Sequence, residues 1–157
     1  MDLTELVDRA LITDTLHAYC DLVDRSDVEG LLALFTDDLV MDMGRGVVVH
    51  GRERFRALLL DRIGRWTTTS HHCSTVVLTR WDGGTAATTS HLYAFHDAPA
   101  RDETMHMWGR YTDELVKQGD RWLIRERRLR VAGVQLTPSS PLPDRFEPFP
   151  RTPLPSP

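Results

Sequence analysis

Asp24 and His71 are the residues of this chain best suited, by type and setting, to move a proton. Asp24 closes an amphipathic first helix, and His71 stands near the start of a Thr/Ser-flanked strand. A carboxylate that accepts a hydrogen bond from one imidazole nitrogen fixes the tautomer and raises the basicity of the other nitrogen. Such a pair can take a proton from the carbon beside a carbonyl and return it to a leaving hydroxyl, a reaction that needs no metal or cofactor. Tyr19, or a donor on the strand carrying Ser90, His91, Tyr93 and His96, would hold the enolate oxygen or help water depart. The competing structural reading has Asp24 capping a helix end and His71 as a satisfied histidine.

Adjacent strand residues point to opposite faces, so only one of His71 and His72 can enter a common cavity. His71 is the expected one, sharing its face with Cys73 and Thr75, whereas a slip of one residue would hand the role to His72. His50, His91, His96 and His106 show neither a helical ligand pair nor a Cys partner at metal spacing, and no metal is expected. Tyr93, Trp108 and Tyr111 suit sheet packing, and as rings in a cavity wall they would also suit a planar or polycyclic substrate. The expected substrate contacts are His91, Tyr93, His96, Trp108 and Tyr111.

The elements that must position these groups can be read from periodicity and punctuation. Thr4 can cap a helix whose apolar residues Val7, Ala10, Leu11, Ala18, Leu22 and Val23 recur at three- and four-residue spacings, with Tyr19 beside that stripe. Ser26 and Glu29 form a capping-box pattern for a short second helix over Val28 to Phe35. Leu39 to Met43 and Val47 to His50 flank Gly44-Arg45-Gly46 as a hairpin. A third helix follows from Arg52 to Ile63. Thr67 to Trp81, Thr85 to His96, Met105 to Gln118 and Arg121 to Gln135 then read as long strands, rich in β-branched and aromatic residues. Three N-terminal helices against a curved, mostly antiparallel sheet make an α+β fold, a cone with room for a small ligand.

With 157 residues the chain is one domain long, expected at residues 1–135 with a Pro-rich tail at 136–157. The 19 basic and 23 acidic residues are interspersed, except for Arg125, Arg127, Arg128 and Arg130, which read as a solvated strand face. Nucleic acid is therefore not an expected partner. No segment approaches the ~20 apolar residues of a membrane span, and Cys20 and Cys73 read as reduced thiols, so a cytoplasmic protein away from the membrane is expected. Leu136, Leu142, Phe146 and Phe149 are expected to let the tail close the cavity or clasp a neighbouring subunit.

The run Tyr19-Cys20-Asp21-Leu22-Val23-Asp24-Arg25-Ser26-Asp27, then Leu34-Phe35-Thr36-Asp37-Asp38, Gly51-Arg52-Glu53, Thr69-Ser70-His71-His72-Cys73-Ser74-Thr75, Gly109-Arg110-Tyr111 and Trp122, resembles the SnoaL-like branch of the nuclear transport factor 2-like superfamily. The resemblance spans roughly residues 4 to 135 and implies a cone-shaped α+β barrel. The branch includes scytalone dehydratase, bile-acid dehydratases, a hexachlorocyclohexane dehydrochlorinase and polyketide cyclases. In the dehydratases and the dehydrochlorinase, an Asp late in the first long helix pairs with a His on the strand after the third helix. Those positions match Asp24 and His71, and Tyr19 matches a Tyr of bile-acid dehydratases. Thr75 stands where many relatives have Asn. Relatives self-associate, which implies a homodimer or homotrimer here.

Together these readings point to a cofactor-independent dehydratase or isomerase acting on a hydroxy-ketone, polyketide or steroid-like small molecule. The alternatives are a polyketide cyclase using Asp24 alone as base, and a non-catalytic binding or assembly subunit.

Overall fold

A computed structural model describes residues 2–140 and 142–155; Pro141 and Pro157 of the tail lie outside the described residues. The chain runs α1 (Leu3–Asp24), α2 (Val28–Leu32), β1 (Phe35–Asp42), β2 (Val48–His50), α3 (Arg52–Gly64), β3 (Thr68–Trp81), β4 (Thr85–Ala98), β5 (Glu103–Gln118) and β6 (Arg121–Thr137). The six strands form one curved sheet in the order β2-β1-β6-β5-β4-β3. All pairings are antiparallel except β1 with β6, which is parallel. The three helices cover one face, and the sheet stays open, so the cone is closed by helices and not by strand pairing.

The first two helices start at side-chain caps one or two residues from the expected positions, whereas α3 starts at Gly51 without one. Asp2, not Thr4, caps α1 by accepting from the Glu5 backbone N–H at 2.8 Å. Asp27, not Ser26, caps α2 through Gly30 N–H. A carboxylate has two acceptor oxygens and a charge that suits a helix N-terminus, which favours it over a neighbouring hydroxyl. The second helix is also shorter than expected, because Phe35 to Asp38 already belong to β1.

The buried stripe of α1 is Asp8, Ile12, Leu16, Tyr19, Cys20 and Val23, while Val7 is 48% exposed. A carboxylate therefore occupies a position that hydropathy assigns to an apolar residue. Asp8 is satisfied there by Lys117 Nζ at 2.7 Å, Trp122 Nε1 at 3.0 Å and Trp81 Nε1 at 3.1 Å, tying α1 to β5, β6 and β3. A second buried polar pair, Arg127 with Asp113, joins β6 to β5 through two bonds of 2.7 and 3.0 Å.

Irregularities in the strands shape the cone. Gly44, Arg45 and Gly46 all have positive φ in the β1–β2 connection, which explains the two glycines. In β3 the register shifts between Ser74 and Val77, with Thr75 at φ 51°. This bulge changes the parity of the strand: His71 and Cys73 face inward, then Val76 and Leu78 pack on the core, and Thr75 is exposed instead of sharing the inner face. Gly109 marks another shift, where an added Cβ would lie 2.9 Å from the Arg130 carbonyl oxygen, so only glycine lets β6 approach there.

The tail docks through residues other than those expected. Leu136, Leu142, Phe146 and Phe149 are all more than half exposed. Ser139 Oγ instead bonds Asp97, the Thr152 backbone N–H donates to the Arg25 carbonyl at 2.6 Å, and Leu154 packs on the core beside α3. Among the described residues, no helix is long and apolar enough to cross a membrane.

Candidate active site

Asp24 is the last residue of α1, and α1 lies against β3, so its carboxylate meets the start of that strand. Oδ1 accepts from Thr69 Oγ1 at 2.9 Å and lies 2.7 Å from His71 Nδ1, while Oδ2 accepts from the His71 backbone N–H at 2.8 Å. Burial pushes the Asp24 pKa upward, but the hydrogen bonds and charge of His71, with help from Thr69, outweigh it and hold the carboxyl below its ordinary range. Asp24 is therefore an ionised acceptor, and His71 Nδ1 must carry the proton between them. In the neutral imidazole this arrangement leaves Nε2 with its lone pair, on a side chain only 8% exposed.

His71 lines a cavity of about 140 Å³ between the inner face of the sheet and helices α1 and α3. Its walls are mostly apolar: Val23, Phe55, Leu58, Leu59 and Ile63 from the helices, Met41, Met43, Met105, Met107 and Leu129 from the sheet side. Tyr19 and Tyr111 lie at one end, with ring centroids 5.9 Å apart and the Arg127 guanidinium 4.2 Å from each ring. Burial raises both phenol pKa values, so these groups stay neutral O–H donors. Thr69, Arg62, Trp66 and His96 complete the lining.

His96 is the second imidazole of the site. Its ring stands edge-on to His71 at a centroid distance of 4.9 Å and leans on Trp66 at 5.0 Å. Burial, and then the nearby charge of His71, push its pKa down to about 3, so His96 is a neutral hydrogen-bonding group at physiological pH. Its Nδ1 is buried and has no hydrogen-bond partner among the described residues.

The structure thus brings Asp24, His71, Tyr19, His96 and Tyr111 together. His91, Tyr93 and Trp108 lie on the opposite face of the sheet and do not line the cavity. His91 is exposed, Tyr93 Oη sits 2.8 Å from His106 Nδ1, and Trp108 is 43% exposed. The cause is strand parity. His96 pairs with Met105 and faces inward with Ala94 and Leu92, so the odd-numbered residues of β4 and the partners of Tyr93 face outward. His72 also faces outward, 5.6 Å from Tyr93. The four methionines, Arg62 and Trp66 were not anticipated from the sequence. Thr69 could have been found, since it lies two residues before His71 and so shares its face. Among the described residues, no group of three or more His, Cys, Asp or Glu side chains could hold a metal ion.

The family model of the SnoaL-like domain matches residues 4–128. This chain belongs to the SnoaL-like family. Solved structures agree with the assignment. A candidate scytalone dehydratase from Novosphingobium aromaticivorans is 26% identical, with a TM-score of 0.78 over 94% of this chain and 100% of that one. The type 2 hexachlorocyclohexane dehydrochlorinase is 17% identical, with a TM-score of 0.79 over 94% and 98% of the two chains. The type 3 form from Novosphingobium barchaimii is 19% identical, with a TM-score of 0.77 over 95% and 100%. At those last two identities the likeness concerns the fold. Among curated proteins no match is found. The SnoaL-like chain therefore has the nuclear transport factor 2-like cone fold, with small-molecule-processing enzymes among its structural neighbours.

Proposed function

We propose that this protein is a cofactor-independent acid/base enzyme, a dehydratase or isomerase, acting on a small hydroxy-ketone, polyketide or steroid-like molecule. The observation that carries the reading is the ionised Asp24 bonded at 2.7 Å to Nδ1 of a His71 that lines an apolar cavity. His71 Nε2 takes the proton from the carbon beside the substrate carbonyl. His96, neutral and with Nδ1 unpartnered among the described residues, or Tyr19 donates to the developing enolate oxygen. His71, now protonated and balanced by Asp24, returns the proton to the leaving hydroxyl or to another carbon. The first outcome is dehydration and the second isomerisation. Both similarities to a candidate dehydratase and to dehydrochlorinases support an elimination.

Asp24 acting alone as the base of a cyclase fits less well, since both its oxygens are engaged and its basicity is lowered. The reading is tested by following loss of water from a panel of β-hydroxy ketones by enone absorbance. Wild type should turn over at least one member and His71→Ala should not; equal rates for the two proteins would refute it. Self-association as a homodimer or homotrimer belongs to the same proposal. The outward cluster of His72, Tyr93, His106 and Trp108 offers aromatic surface for it, and a monomer by light scattering at micromolar concentration would contradict it.

A further inference from the structure

One charged side chain stands in the row of α3 that faces the cavity. Phe55, Leu58, Leu59, Arg62 and Ile63 recur at three- and four-residue spacings and all line the cavity, with Trp66 continuing the row just beyond the helix end. Periodicity asks for an apolar residue at position 62. Arg62 is also the one exposed residue of the lining, whose other members are buried or half-buried, so the cavity opens to solvent beside it. A side chain so placed lays its methylene stem along the apolar wall and keeps its guanidinium in the opening.

Among the described residues, no carboxylate answers that guanidinium, and Arg62 has neither a hydrogen bond nor an ion pair. On a helix surface a partner would stand three or four residues away, and those positions hold Leu58, Leu59, Arg65 and Trp66. Nearby arginines differ: Arg65 is held by Asp61 at 2.9 Å, and Arg56 by Glu29 of α2 at 2.5 Å. Two more guanidiniums stand beside Trp66. Arg101 lies 4.8 Å from the centre of its ring, with Glu103 at 3.6 Å, and Arg151 Nη1 donates to its carbonyl at 2.5 Å. Asp61 and Glu103 are thus taken by other arginines, while Arg62 keeps its charge unmatched in a neighbourhood that carries further positive groups.

We propose that Arg62 receives a carboxylate of the ligand at the mouth of the cavity, while the ligand's apolar body lies inside against the methionines and the Asp24–His71 pair. The carboxylate stays at the opening because the interior holds the ionised Asp24 and mostly apolar walls, where a second carboxylate would lose its water. The substrate class narrows accordingly to organic acids in which an apolar segment separates the carboxylate from the reacting carbonyl or hydroxyl. The inference rests on the proposed function only in placing the ligand in that cavity, and binding tests it without turnover.

Calorimetric titration of the full chain with 4-phenylbutanoate and 2-naphthylacetate, against the neutral 4-phenylbutanamide and 2-naphthylacetamide, supplies the test. Wild type should bind the acids about two- to five-fold tighter than the matched amides, the worth of an exposed ion pair. High salt should shrink that ratio, since a charge at the opening is screened. Arg62→Gln should bring the ratio to about one while amide affinity is retained. Arg62→Glu should turn the preference over, so that the acids bind more weakly than the amides. Position 62 is exposed, so both variants should melt near wild type. His71→Ala should keep the preference for acids, so a failure of the proton chemistry would not be mistaken for a failure of the receptor. Equal affinity for acids and amides in wild type, no acid binding at millimolar concentration, a preference lost in His71→Ala, or one that survives Arg62→Gln or Arg62→Glu would overturn the proposal.

Discussion

Two carboxylates on one i+4 row of α1, Asp8 and Asp24, are both turned inward and both held below the ordinary carboxylate range, yet they do different work. Asp8 is 0% exposed and is met by an ammonium and two indole N–H groups. An ammonium and two indole N–H groups can only donate, so the cluster is a strut. Asp24 is met by a hydroxyl, a backbone N–H and an imidazole, and the imidazole faces a cavity. One titratable donor in place of a permanent one turns the same arrangement into a device that can hold or release a proton. Burial and a low pKa alone do not distinguish a functional acid from a structural one; the partner's chemistry does.

Substitutions should separate the two regions cleanly. The largest effect expected is the loss of kcat in His71→Ala, on the order of 10²–10⁴-fold, with Asp24→Asn close behind, measured on whichever β-hydroxy ketone wild type dehydrates. Melting temperature should fall only modestly in His71→Ala, because Asp24 loses the imidazole but keeps the Thr69 hydroxyl and the backbone N–H of residue 71 as donors. For Asp8→Ala the order reverses: denaturant unfolding should show a loss of about 2–3 kcal/mol, because Lys117 and two buried indoles lose their acceptor, while kcat per folded molecule stays near wild type. Activity that falls in Asp8→Ala as far as in Asp24→Asn would erase the distinction.

The acid side of the stability curve offers a subtler contrast. Because Asp8 and Asp24 both have folded-state pKa values below their unfolded ones, each contributes stability that is full above the unfolded value and is lost as pH falls through the folded value. Wild type should therefore lose melting temperature steeply in that window, and Asp8→Asn and Asp24→Asn should each flatten part of the slope. The smallest effect is expected at His72. It shares its strand with His71 but faces the other side, so His72→Ala should keep kcat within about two-fold. A large loss there would invert the strand's parity.

Much of this organisation was legible in the sequence. The six strands and three helices fall close to where punctuation and β-branched content put them, and the pairing of Asp24 with His71 is what the resemblance to SnoaL-like proteins implied. What was hidden has physical causes. Alternation along β4 divides residues into two classes but does not say which class faces the helices when both carry rings, so Tyr93 and His91 were grouped with His96 although parity separates them. Asp8 was invisible because hydropathy counts a charged residue as exposed, and only the fold reveals its three donors. Arg151 lies 80 residues beyond His71 in a proline-rich stretch whose larger apolar residues are exposed, and local pattern carries no sign that its chain returns to the end of α1 and to Trp66.

The central claim is that Asp24 fixes the proton of His71 on Nδ1 and leaves Nε2 as the base. Nitrogen-15 NMR of the histidine rings across a pH titration tests it directly. At alkaline pH the account expects His71 as the neutral tautomer with Nδ1 protonated and Nε2 bare, and expects Asp24→Asn to weaken or reverse that preference. A neutral His71 protonated on Nε2 in the wild type, or a tautomer unchanged in Asp24→Asn, would contradict it.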